Sequence, residues 1–127
     1  MAKDHKRPTD AELEILRVLW RGPSTVREVY ELLGETRTIG YTTVLKLMQI
    51  MTEKGSLERD ESVRPQVYRA VRSKRQTQRQ LMGHLLDGAF SGSPGNLVLQ
   101  ALSTKKTTAE EREQIRTLLD KLEREAR

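Results

Sequence analysis

Apolar residues along this chain recur first at helical spacing, then briefly at alternate positions, then at helical spacing again. Leu13, Leu16 and Trp20, with Ile15 and Leu19 beside them, mark the buried face of a first helix. Thr9-Asp10-Ala11-Glu12 ahead of it fits a capping box, in which the Thr9 hydroxyl accepts the Glu12 amide and the Glu12 carboxylate reaches back. Gly22-Pro23 stops that helix. A second box, Thr25 to Glu28, opens a short helix with Val26, Val29, Tyr30 and Leu33 on its apolar side and Gly34 at its end. The spacing predicts a third helix from Gly40 or Tyr41 to Lys54, closed by Gly55. Val44, Leu47, Met48 and Met51 form its buried stripe, while Thr42, Thr43, Lys46, Gln49 and Glu53 lie opposite. Leu45 and Ile50 fall outside the stripe.

After Gly55 the period changes. Leu57-Glu58-Arg59 and Gln66 to Val71 read as two short strands joined by the turn-rich Glu61-Ser62-Val63-Arg64-Pro65. Three short helices followed by a basic hairpin is the plan of a winged helix-turn-helix. Beyond Ser73 the helical period returns. Gln76 to Phe90 carries Leu81, Leu85, Leu86 and Phe90, and Ser91 to Gly95 is a break. Leu97 to Leu102 is a short apolar helix. A cap around Thr107 to Glu111 opens a last one with Ile115, Leu118, Leu119 and Leu122. The expected fold class is mainly α with a small β-hairpin: a winged-helix domain over residues 1–73 and a three-helix domain over residues 74–127. The latter presents Leu81, Leu85, Phe90, Leu97, Leu118 and Leu122, more apolar surface than so short a segment can bury alone. A homodimer is expected from it.

Composition sharpens the picture. The 127 residues suffice for one modest domain plus an attachment. One Trp, one Phe and three Tyr leave little material for a large core. The absence of Cys excludes disulfides, zinc–thiolate sites and thiol catalysis. Met1 to Pro8 is too polar for a signal peptide, and no run nears the roughly 20 apolar residues that span a bilayer. A cytoplasmic chain without membrane insertion is expected. Its net charge is +5, and Arg37 to Arg75 alone holds nine Lys/Arg against four Asp/Glu. Such a concentrated positive field suits a polyanion.

The third helix is the chief functional candidate. A major groove admits an α-helix whose N-terminal residues reach base edges. Thr42 and Thr43 can bond bases or pack on a thymine methyl, Lys46 can reach guanine or a phosphate, and Gln49 can meet adenine. Arg64 at the hairpin tip suits backbone phosphate. Arg59 and Arg69 on the strands are left open between phosphate contact and keeping an edge soluble, and Arg72, Lys74 and Arg75 between phosphate contact and starting the next helix. Tyr41 and Tyr68 read as core-edge aromatics, and Tyr41, opening the third helix, is counted with the DNA contacts. His5 and His84 lack companions at ligand spacing, so neither a metal nor another cofactor is expected. No triad context or phosphate-cradling glycine loop supports an enzyme. A protein-interaction module remains the alternative, kept open by Leu45 and Ile50; RNA binding lacks an aromatic platform.

Several segments resemble the penicillinase-repressor family (BlaI/MecI type): Pro8 to Leu16 with Leu19-Trp20, Tyr41-Thr42-Thr43-Val44, Glu53-Lys54-Gly55, Gln66-Val67-Tyr68-Arg69 and Asn96-Leu97-Val98-Leu99. The resemblance runs from Pro8 to Leu122. It implies a winged-helix domain, a three-helix dimerisation domain and repression at an inverted-repeat operator in double-stranded DNA, often with a TACA/TGTA core. It further implies, for members beside β-lactam-resistance genes, release by a regulatory protease linked to a membrane sensor. The cleaved bond in such members is commonly Asn-Phe, and the aligned pair here is Gln100-Ala101. Ile50 stands where many members have Arg, and Leu45 where a polar or basic residue is common. The cysteines of the copper-responsive branch are missing.

Overall fold

The computed structural model describes residues 7–127. His5 and most of the polar N-terminal stretch lie outside the described residues. In chain order come α1 (Asp10–Leu19), α2 (Val26–Gly34), α3 (Tyr41–Glu53), β1 (Leu57–Asp60), β2 (Val67–Ala70), α4 (Lys74–Ala89), α5 (Pro94–Thr104) and α6 (Ala109–Glu125). The chain is mainly helical with one hairpin, as its pattern predicts.

The helix starts are built from side chains. Thr9 Oγ1 accepts from the Glu12 amide at 3.2 Å, and the Thr9 amide donates to Glu12 Oε1 at 3.0 Å. The same reciprocal box joins Thr25 to Glu28 and Thr108 to Glu111. Each satisfies two amides that the first helical turn leaves without partners. Helix α3 ends differently. Gly55, at φ +85°, takes the left-handed conformation that glycine adopts without a Cβ clash. Its amide donates to Thr52 O at 3.1 Å and that of Ser56 to Met51 O at 2.9 Å, closing a Schellman motif.

Strands β1 and β2 pair antiparallel, with Leu57 opposite Ala70 and Asp60 opposite Val67. The other edge of β2 is used as well: Ser24, between α1 and α2, exchanges backbone hydrogen bonds with Tyr68 at 3.0 and 2.8 Å. The wing is thereby stitched to the helices. Beneath it Ile15, Val29, Val44, Met48, Met51 and Leu57 fill the centre of the core. Tyr68 is buried among them rather than at the core's edge, because β2 lies between β1 and Ser24.

Contacts divide the chain into two compact units, Met1–Met82 and Gly83–Arg127, the division falling within α4. Thr77 is buried in the first unit, so the first turns of α4 pack there. Trp20 Nε1 donates to Arg72 O at 3.0 Å, which fixes the chain just before α4 against the end of α1. In the second unit α5 starts at Pro94, earlier than the apolar run from Leu97 suggests. Ser93 caps it, accepting from the Asn96 amide at 3.1 Å, and Pro94 occupies the first turn, where its missing amide costs nothing. No residue of this unit is buried.

Candidate nucleic-acid interface

Helix α3 separates its side chains as its sequence predicts. Val44, Met48 and Met51 are buried, and Leu47 packs half-buried against the same core. Thr42, Thr43, Lys46 and Gln49 are all exposed. None of these four makes a side-chain hydrogen bond or ion pair among the described residues. They form a row of donors and acceptors with no internal use. Leu45 packs half-buried on the core, and Ile50 is the one residue of the two left exposed.

The start of α3 is bare. Gly40 at its N-cap offers no side-chain hydrogen bond, and its first turn holds no acid. The first amides and the positive end of the helix dipole therefore meet no negative side chain from their own turn. Its far end is anchored. Lys54, the C-cap of α3, donates from Nζ to Glu12 Oε2 at 2.8 Å, and Glu12 is buried with 5% of its surface exposed. Burial alone would raise the Glu12 pKa, but hydrogen bonds from Lys54 and Thr9 outweigh it and hold the carboxyl below its ordinary value. Arg37 pairs with Glu14 of α1.

On the wing the arginines differ. Arg69 pairs with Glu58 across the hairpin, and Arg59 Nε donates to Glu61 Oε2 at 3.0 Å. Hydrogen bonding to Tyr68 and the Glu61 carboxylate raise the Arg59 pKa. Both strand charges are thus offset locally. Arg64, by contrast, touches only a backbone oxygen, that of Glu61 at 3.1 Å, and has no carboxylate partner among the described residues. Asp60 turns the hairpin by accepting from the Ser62 amide and hydroxyl, contacts that lower its pKa.

Tyr41, the first residue of α3, does not stand free. Its ring meets that of Tyr30 edge to face, 5.7 Å between centres at 78°, and the Arg27 guanidinium lies 4.9 Å over it. Arg27 was not marked by sequence pattern. Its spacing of three from Tyr30 on α2 is the one local signal that an aromatic partner was in reach.

Of the residues expected at a dimer face, Leu81 is half-buried in the first unit. In the second, Phe90 and Leu97 are half-buried, and Leu85, Leu118 and Leu122 are about half exposed, at 49%, 54% and 50%. Gln100 and Ala101 sit exposed in the middle of α5, with Gln100 Nε2 donating to Asn96 Oδ1 at 3.2 Å. Among the described residues no three His, Asp or Glu gather where they could hold a metal ion, and no helix is long and apolar enough to cross a membrane.

No curated protein matches the chain in sequence. Among solved structures, that of a mutant of Lactococcus lactis ZitR is similar at a TM-score of 0.47 and 18% identity, over 100% of this chain and 81% of that one. The penicillinase repressor family matches residues 8–121, almost the whole length, and the chain belongs to that family of transcriptional repressors.

Proposed function

We propose that this chain represses transcription by binding an inverted-repeat operator in double-stranded DNA as a homodimer, with no catalytic activity of its own. The observation that carries the reading is the exposed row Thr42, Thr43, Lys46 and Gln49 on α3, whose hydrogen-bonding groups have no internal partners. In this reading α3 enters the major groove, its first turns meet base edges, and Arg64 meets a backbone phosphate. Residues 1–73 serve as the DNA-binding domain and residues 74–127 as the dimerisation domain. Support for the second part is its lack of any buried residue beyond Met82, although Leu85, Leu118 and Leu122 are apolar. Three helices with so thin a core gain most by burying those side chains against a second copy.

A protein-interaction module would need a contiguous apolar patch on α3. Leu45 packs on the core and Ile50 stands apart, which favours the groove-reading role. Release belongs to the proposal too. A regulatory protease linked to a membrane sensor, acting in the cytoplasm on α5 near Gln100-Ala101, would detach α6 from the dimer. Each winged helix would then bind alone, without the 10²–10⁴-fold or so gain that tethering two modules gives.

Selection of bound sequences from random duplex DNA tests the core of this reading. The expected product is an inverted repeat, bound with an affinity that falls steeply with salt as counterions are released. Equal affinity for all duplexes, or binding indifferent to salt, would overturn it.

A further inference from the structure

Arg27 stands outside the groove-reading row, on an exposed position of α2. Its guanidinium carbon lies 4.9 Å from the centre of the Tyr41 ring and 5.8 Å from that of Tyr30. The two rings brace each other edge to face. Arg37, Arg59 and Arg69 are each paired with a carboxylate, whereas Arg27 has no hydrogen bond or ion pair among the described residues. A ring attracts a guanidinium through its π-face without consuming the N–H donors. The N–H donors of Arg27 have no hydrogen-bond or carboxylate partner among the described residues, so they stay available while the rings hold the head in place. Because Tyr41 opens α3, the head is held at the end of the helix proposed to enter the groove. The helix ahead of a recognition helix crosses the DNA backbone, and a planar fork of donors matches two phosphate oxygens.

We infer that Arg27 binds a backbone phosphate at the rim of the groove that α3 occupies, and that Tyr30 and Tyr41 are positioning residues that hold its guanidinium there. The inference rests on the DNA-binding reading above and refines it: Tyr41 acts through Arg27 rather than by touching a base. A phosphate contact carries no sequence information. Arg27 therefore strengthens binding to every duplex equally and leaves the choice among them to α3. The rings hold the guanidinium without an opposing charge, whereas a carboxylate partner would offset it.

The test uses the full chain and a fluorescent mixed-sequence duplex, with affinity followed by anisotropy between about 50 and about 200 mM salt. Each phosphate contact adds about 0.9 to the log–log salt slope. Arg27→Gln should therefore shrink the salt-induced loss of affinity by about threefold per bound protomer. Its preference for a selected operator over the mixed duplex should stay that of the unaltered protein. Tyr41→Phe keeps the ring and should bind normally. Tyr41→Leu removes it and should weaken binding to both duplexes by a similar factor, and adding Arg27→Gln should then cost less than it does alone. Melting temperature, read on each variant, separates these effects from unfolding. An Arg27→Gln protein with an unchanged salt slope, or with altered preference at a single base pair, overturns the inference while the DNA-binding reading stands. A chain that binds neither duplex overturns both.

Discussion

Replacing Glu12 by alanine removes a side chain that ties the start of α1 to the end of α3. Two contacts are lost: the hydrogen bond from the Thr9 amide at 3.0 Å and the one from Lys54 Nζ at 2.8 Å. A hydrogen bond to a buried charged group contributes about 1.5–3 kcal/mol. The Lys54 side chain is 37% exposed, so solvent screens its share to about 0.5 kcal/mol. A loss of about 2 kcal/mol follows, which lowers the melting temperature of a domain this size by about 10 °C. Glu12→Gln keeps an oxygen for Thr9 and loses the charge, so about half that loss is expected. The pH dependence has a definite sign. The folded pKa of Glu12 lies below its ordinary value of 4.5, because the Lys54 and Thr9 hydrogen bonds outweigh the opposing effect of burial. Its contribution is full above that value and fades as pH falls through the lower, folded one. Trp20 is the only tryptophan and lies in this unit, so its fluorescence reports the melt selectively. The difference between Glu12→Gln and the unaltered protein should be largest near neutral pH and shrink as pH falls below 4.5 and through the lower, folded value. A difference that does not shrink at all as the solution is acidified below 4.5, or an alanine variant that melts with the parent, would refute the argument.

On a selected operator, Thr43→Ala or Lys46→Ala should each cost roughly 1–3 kcal/mol and relax selectivity, with melting unchanged because both side chains are exposed; unchanged site preference in both variants would remove them from the base-reading set. Met48→Ala empties the centre of the core, where the side chain is fully buried, and should destabilise by about 2–5 kcal/mol in urea titration. A cost under about 1 kcal/mol would mean that the core collapses around the gap. A fragment ending at Met82 retains buried Thr77 and should stay folded and sediment as a monomer. Sedimentation as a dimer would place the interface within the first unit.

Local chemistry made much of the fold legible. The boxes at Thr9 and Thr25 each need only residues three apart, and both formed; the cap read across Thr107 to Glu111 is a box from Thr108 to Glu111. Gly55 marked the end of α3 because one residue had to turn left-handed. Edges set by a single peptide unit shifted: the break read across Ser91 to Gly95 is shorter, since Ser93-Pro94 is itself a helix start. The polar face of α3 is readable from a period of 3.6, which places Thr42, Thr43, Lys46 and Gln49 together from the sequence alone. What pattern missed is non-local. Glu12 and Lys54 stand 42 positions apart, and Trp20 and Arg72 are separated by 52. Arg27 meets Tyr41 only because α2 packs on α3. Periodicity assigns each residue a face; which residue of another element it finds there is fixed by packing.

The hydrogen bonds between Ser24 and Tyr68 have a consequence for self-association. With Ser24 on one side of β2 and β1 on the other, the interior strand of this small sheet is β2, and the outer edge is left to β1. An open strand edge is a template on which another chain can add a strand. Here that edge is short and reads Leu57-Glu58-Arg59-Asp60, with Leu57 buried and three charged residues exposed. Any incoming strand would have to strip water from Glu58, Arg59 and Asp60 and disturb the ion pairs to Arg69 and Glu61. The wing is therefore guarded against edge-to-edge stacking, the route by which exposed hairpins seed fibrils.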